Sequence, residues 1–123
     1  MDVLLSIKPK FAQAIFSGEK KFEFRRSIFK NKDVKKVYVY ASKPIALVIG
    51  EFEVGEVITE NPNILWKITK TGSGISKKYF DEYFDGKEVG YAITVNSVQE
   101  YAVPISLMER FNIERPPQSF MYV

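Results

Sequence analysis

Gly18-Glu19-Lys20-Lys21-Phe22-Glu23-Phe24-Arg25 is the point at which this chain turns from helix to sheet. Glycine tolerates the left-handed backbone that ends a helix and reverses the chain, so Gly18 marks a stop. The residues that follow alternate. Phe22 and Phe24 fall on one face of a strand over Lys21–Arg26, with Lys21, Glu23 and Arg25 on the other. Lys20 is then expected at the rim of the turn, and Glu23 and Arg25 on one strand face, so that three charges converge on a small volume. Upstream, Pro9 suits a first helical position, where its missing N–H costs nothing. Phe11 with Ile15, and Ala12 with Phe16, are apolar pairs four apart on the helix between Pro9 and Gly18. Val3–Ile7 before it reads as a short buried strand.

Downstream, Ser27–Lys35 is polar and basic and is expected to loop out. Val37–Ala41 is a strand in which Val37, Val39 and Ala41 alternate with Tyr38 and Tyr40, broken by Ser42-Lys43-Pro44. Ile45–Ile58 reads as a long strand or a bent pair, with bulges expected at Gly50 and Gly55. Ile64–Lys70 reads as helical, Gly72-Ser73-Gly74 as a hinge, and Ser76 as the cap of a further helix. In that helix Tyr79, Phe80, Tyr83 and Phe84 form a stripe at helical spacing, read as core. Gly90–Tyr101 returns as a strand, Ile105–Arg110 as a short helix or turn, and Ser119–Val123 as a last strand closing the sheet behind Pro116-Pro117. With no repeat and no linker, residues 1–123 form one domain. Its class is α+β: a small, mostly antiparallel β-barrel with short helices packed around it.

Composition narrows the chemistry. The 123 residues contain no Cys and no His, which excludes disulfides, thiol nucleophiles, Ser-His-Asp catalysis and the common metal cages. No metal site and no cofactor are expected. The opening apolar run is five residues long, too short for a signal segment or a membrane span, so a cytoplasmic protein with no membrane partner is expected. Charge is uneven: residues 1–43 hold 11 Lys or Arg against 4 acids, and residues 44–123 hold 7 against 11. A basic first third is the footprint expected for a phosphate-bearing partner, although an ordinary Lys-rich surface has the same composition.

The run from Gly18 to Arg25 fits GxKxxxxR, and it stands in a wider setting: LLSIKP at 4–9, AQAIFSG at 12–18, YVYASKP at 38–44, IGEFEV at 49–54, GYAI at 90–93 and PPQSF at 116–120. Together these resemble a stand-alone ASCH domain. The resemblance implies a PUA-like barrel with a cleft between the first helix and the sheet, and RNA or a modified nucleoside or nucleotide as partner. The helix start after Ser6-Ile7-Lys8-Pro9 adds N–H groups and a positive dipole end. Candidate ligand contacts are Ser6, Lys8, Lys20, Glu23 and Arg25; Tyr40, which either stacks a base or packs in the core; and Tyr91, Gln118 and Ser119, from segments that border the cleft in ASCH proteins. On residue pattern alone, without the resemblance, an exposed ion-pair ladder is the better fit for Lys20, Glu23 and Arg25.

Enzymatic readings stand beside the binding one. The resemblance extends to small amidohydrolases that deacetylate acetylated cytidine, in which a Lys of this motif is catalytic. Lys20 matches it, but Glu23 occupies the position of their Thr, and a neighbouring carboxylate favours the charged amine. A ribonuclease is the third reading, with Glu23 as base and Lys20 or Arg25 stabilising the charge at phosphorus. Catalytic candidates are therefore Lys20 and Glu23.

Overall fold

The computed structural model describes residues 1–123. The chain runs β1 (Asp2–Ile7), α1 (Pro9–Ser17), β2 (Phe22–Arg25), β3 (Lys36–Ala41), β4 (Leu47–Glu60), α2 (Pro62–Thr69), a 3-10 turn (Lys70–Gly72), α3 (Lys77–Tyr83), β5 (Gly90–Ile105), α4 (Leu107–Phe111) and β6 (Phe120–Tyr122). The six strands form one sheet in the order β2-β5-β4-β3-β1-β6. Only β1 and β3 pair in parallel, with Leu5 opposite Val39; the other pairs are antiparallel. The expected barrel is a curled half-barrel with β2 and β6 as its two edges.

Local chemistry accounts for the elements. Pro9 opens α1 and Gly18 closes it at φ 87°. Asn61 and Ser76 cap α2 and α3, their side chains accepting from the Ile64 and Tyr79 N–H groups. Helix α2 therefore begins at Pro62, earlier than its apolar pattern suggests, because Asn61-Pro62 is a cap and first position rather than a loop. Ser106 caps α4 in the same way. Ladder irregularities between Val48 and Gly50 and between Val54 and Val57 bend β4 around both glycines.

Three apolar clusters hold the sheet. Beneath α1, Ala12 and Ile15 pack on Val3, Leu5, Ile7, Val37, Val39 and Ala41. On the opposite face, Leu4, Tyr38, Tyr40 and Val48 pack on Leu107 of α4. Near β2, Phe24 and Ala92 pack on Leu65, Phe80 and Phe84. The segment between β2 and β3, expected to be a solvated loop, buries Phe29 and Val34 in the first cluster. Its basic residues hid two anchors spaced too irregularly to read as an element.

Candidate nucleic-acid interface

The turn after α1 drives Lys20 inward instead of leaving it at the rim. The Lys20 N–H donates to Ala14 O at 3.0 Å, which folds the chain back over the helix end, and Lys20 is 2 % exposed. Its ammonium donates to Phe22 O (2.7 Å) and Ser73 O (3.3 Å) and lies 3.8 Å from Glu23 Oε1. It also sits over the Phe24 ring at 4.6 Å. Burial holds the Lys20 pKa below its ordinary value; the Glu23 carboxylate opposes this and the Arg25 charge reinforces it. Glu23 favours the charged amine, as its position in the sequence implies, but desolvation outweighs that one carboxylate.

Glu23 is buried and joins Lys20 to Arg25, whose Nη1 lies 3.1 Å from Glu23 Oε2. Arg25 also donates to Ser6 O (3.5 Å) and to Ser119 O and Oγ (both 3.1 Å). One guanidinium therefore links β2, at one sheet edge, to β1 and to the residue that leads into β6 at the other edge. Ser6 Oγ donates to Pro117 O at 2.7 Å and pins the same tail segment. The exposed ion-pair ladder does not describe these residues; they form an internal charged cluster.

Beside the cluster lies a cleft of about 320 Å³ whose lining includes Ser6, Lys8, Lys20, Glu23, Arg25 and Gln118. The structure thus brings together six of the sequence candidates. Ser119 supports the cleft from behind through Arg25. Tyr91 pairs with Arg25 across the β2–β5 ladder, half-buried and outside the lining. Of the two readings for Tyr40, core packing holds and the site assignment falls: it is buried on the opposite face with Leu4 and Leu107, because alternation gives a side of the strand without saying which side α1 covers. The anion-binding helix start is also weaker than expected. Pro9 has no N–H, and Phe11 and Ala12 both donate to Lys8 O, leaving Lys10 with the one first-turn N–H not so used.

Two residues of the stripe read as core belong to the cleft. Phe80 and Phe84 are core, but Tyr79 and Tyr83 face the opening, their rings nearly parallel at 11° with centroids 6.3 Å apart. Lys8 Nζ lies 5.6 Å from the Tyr79 ring and Arg26 Cζ 4.6 Å from the Tyr83 ring. The Tyr83 hydroxyl donates to Phe24 O at 3.2 Å, and burial pushes its pKa up. Arg26, Tyr79 and Tyr83 also line the cleft, beyond the residues expected from the sequence. The available signal was that the two aromatics on one flank of the stripe, Tyr79 and Tyr83, carry hydroxyls, which seek a polar partner or an opening.

A curled half-barrel sheet with four short helices is the PUA-like architecture, and within it the chain belongs to the ASCH family: the ASCH domain model matches residues 5–106. The ASCH domain-containing ribonuclease of Zymomonas mobilis is 30 % identical over 125 residues, covering 99 % of this chain and 84 % of that protein. The crystal structure of the Zymomonas ASCH protein superposes with a TM-score of 0.91 at 30 % identity, over 99 % of this chain and 87 % of that one. A protein of Ureaplasma parvum named large ribosomal subunit protein uL22 is 33 % identical over 122 residues, so the chain spans 39 % of its length. The N-terminal domain of Staphylothermus marinus McrB, at 14 % identity and TM-score 0.55, shares the fold alone. No helix is long and apolar enough to cross a membrane.

Proposed function

We propose that this ASCH domain binds single-stranded RNA by taking one nucleotide into the cleft. The observation that carries the reading is the pairing of each cleft tyrosine with an exposed cation, Lys8 at Tyr79 and Arg26 at Tyr83. Aromatic faces stack bases whatever their identity, and cations hold the phosphate. About 320 Å³ is at the small end of ligand sites, the scale of one nucleotide. The buried Lys20–Glu23–Arg25 cluster forms the polar floor, with the carboxylate available to accept from an exocyclic amine. Anisotropy titrations of short fluorescent RNAs at low salt test this. Lys8→Ala and Arg26→Ala are expected to weaken binding several-fold without changing stability; absence of micromolar binding to any single strand overturns it.

Cleavage of the bound strand is the second reading, favoured by the Zymomonas relative named a ribonuclease. The strand's own 2′-hydroxyl oxygen would give up its proton to water and bond to phosphorus as the bond to the 5′-oxygen breaks, that oxygen taking a proton from water, with Lys8 and Arg26 neutralising the charge that develops. Cleavage that stops when the 2′-hydroxyl is methylated is the expected result, and full cleavage of the methylated strand counts against it. Deacetylation through Lys20 has the least geometric support, because the ammonium already faces two carbonyl oxygens and a carboxylate.

A further inference from the structure

The cleft shares a wall with a second cavity. Phe11, Ile75 and Tyr79 line both, and the second, of about 530 Å³, also holds Lys10, Lys70 and Glu19. Aromatic contacts and hydrogen bonds to backbone carbonyls hold the partition together. Phe11 of α1 meets Tyr79 of α3 edge-on with centroids 5.0 Å apart, and Tyr79 continues into the stacked pair with Tyr83. Behind it, Lys20 donates to Ser73 O and Lys21 to Gly72 O, so the segment leading to α3 is tied to the turn after α1. Lys10 and Lys70 are exposed and take part in no ion pair. Lys10 comes from α1 and Lys70 from the turn after α2, so two elements from distant parts of the chain deliver unpaired ammonium groups to one hollow.

Resting on the reading of the cleft as a nucleotide site, we infer that the second cavity is an adjoining subsite for the next residue of the same strand, so that the ligand is an RNA segment of at least two nucleotides rather than a free nucleotide. A strand leaving the cleft crosses the partition, where the outer side of Phe11, Ile75 and Tyr79 gives its next base an apolar surface. Its phosphate then lies within reach of Lys10 and Lys70. Glu19 opposes this with one negative charge against two positive ones, which leaves the hollow net basic and makes that carboxylate a brake on affinity.

Calorimetric titration of 5′-phosphorylated, 2′-O-methyl mononucleotides against the matching dinucleotides separates this inference from the reading beneath it. The dinucleotide is expected to bind about tenfold more tightly, with a salt slope steeper by about 0.7, the value for one further single-strand phosphate. In the Lys10→Ala/Lys70→Ala variant that gain disappears while mononucleotide affinity is unchanged, and Glu19→Gln enlarges the gain. All three side chains are exposed, and circular dichroism verifies that the variants fold. Equal affinity of mono- and dinucleotide overturns the subsite and leaves the cleft standing. Binding of neither overturns both.

Discussion

Lys20 is held where a lysine is rarely found, and the alkaline stability of the protein should show it. The unfolded chain titrates at the ordinary 10.5 and the folded chain below it. Between the two values the unfolded state carries the extra proton, so stability rises with pH across that window. Urea unfolding measured just below pH 10.5 should show the rise, and Lys20→Met should remove it. Arg25 has a structural duty that its place in a ligand motif conceals. Arg25→Ala strips bonds from Ser6 and Ser119 and leaves Glu23 with Lys20 alone, an expected loss of about 2–4 kcal/mol in thermal or urea unfolding. Weakened RNA binding in that variant would therefore reflect the fold as well as the contact, whereas Lys8 and Arg26 report on the contact.

Between α2 and α3, the backbone of Gly72, Ser73 and Gly74 forms the lid over Lys20. Gly74 has φ +67°, and a Cβ there would stand 2.6 Å from Lys20 Cβ and 2.8 Å from its Cα. Gly74→Ala is expected to cost about 1–3 kcal/mol, since neither the backbone conformation nor the neighbour can yield; an unchanged melting temperature would refute the close packing. On the opposite face, β3, β4 and β5 meet in a polar chain. Glu51 Oε2 lies 2.9 Å from Lys36 Nζ, and Tyr101 donates to Oε1 at 2.7 Å. Burial pushes the Glu51 carboxyl up, but bonds from Lys36 and Tyr101 and the Lys36 charge pull it down further, to below 4.5. Stability from this contact is complete above 4.5 and is lost as pH falls through the lower folded value. Glu51→Gln should make acid unfolding less steep there.

Across the molecule, the charge division along the sequence becomes a division in space. The cleft and the hollow beside it draw Lys8, Lys10, Lys20, Arg25 and Arg26 from the first third of the chain, with Lys70 the one addition from elsewhere. RNA affinity should fall steadily with added salt, by about 0.7 in log K per log unit of salt for each phosphate held. A titration in which affinity ignores salt would remove the phosphate from the account. The sheet leaves edges at β2 and β6, and the Arg25 guanidinium spans them where a hydrogen-bonded ladder would otherwise close a barrel. In this chain Arg25 is thus a clasp of the fold.

Much of this was written locally. Pro9, Gly18 and Ser76 set helix ends through the N–H and C=O groups left over at those ends, and strand alternation separated Glu23 and Arg25 from Phe22 and Phe24. Gly50 and Gly55 marked the bends of β4. Tertiary structure alone decided which face of each element meets which neighbour. It put Tyr40 behind the sheet, drew Tyr79 and Tyr83 out of the core stripe, and buried Phe29 and Val34 from a basic loop. It also converted three motif charges from an exposed row into a cluster in which Lys20 and Glu23 are buried and Arg25 is half-buried. The reason is that periodicity records which side chains share a side, whereas burial, and with it every pKa shift and every cavity, depends on what the rest of the chain brings against that side.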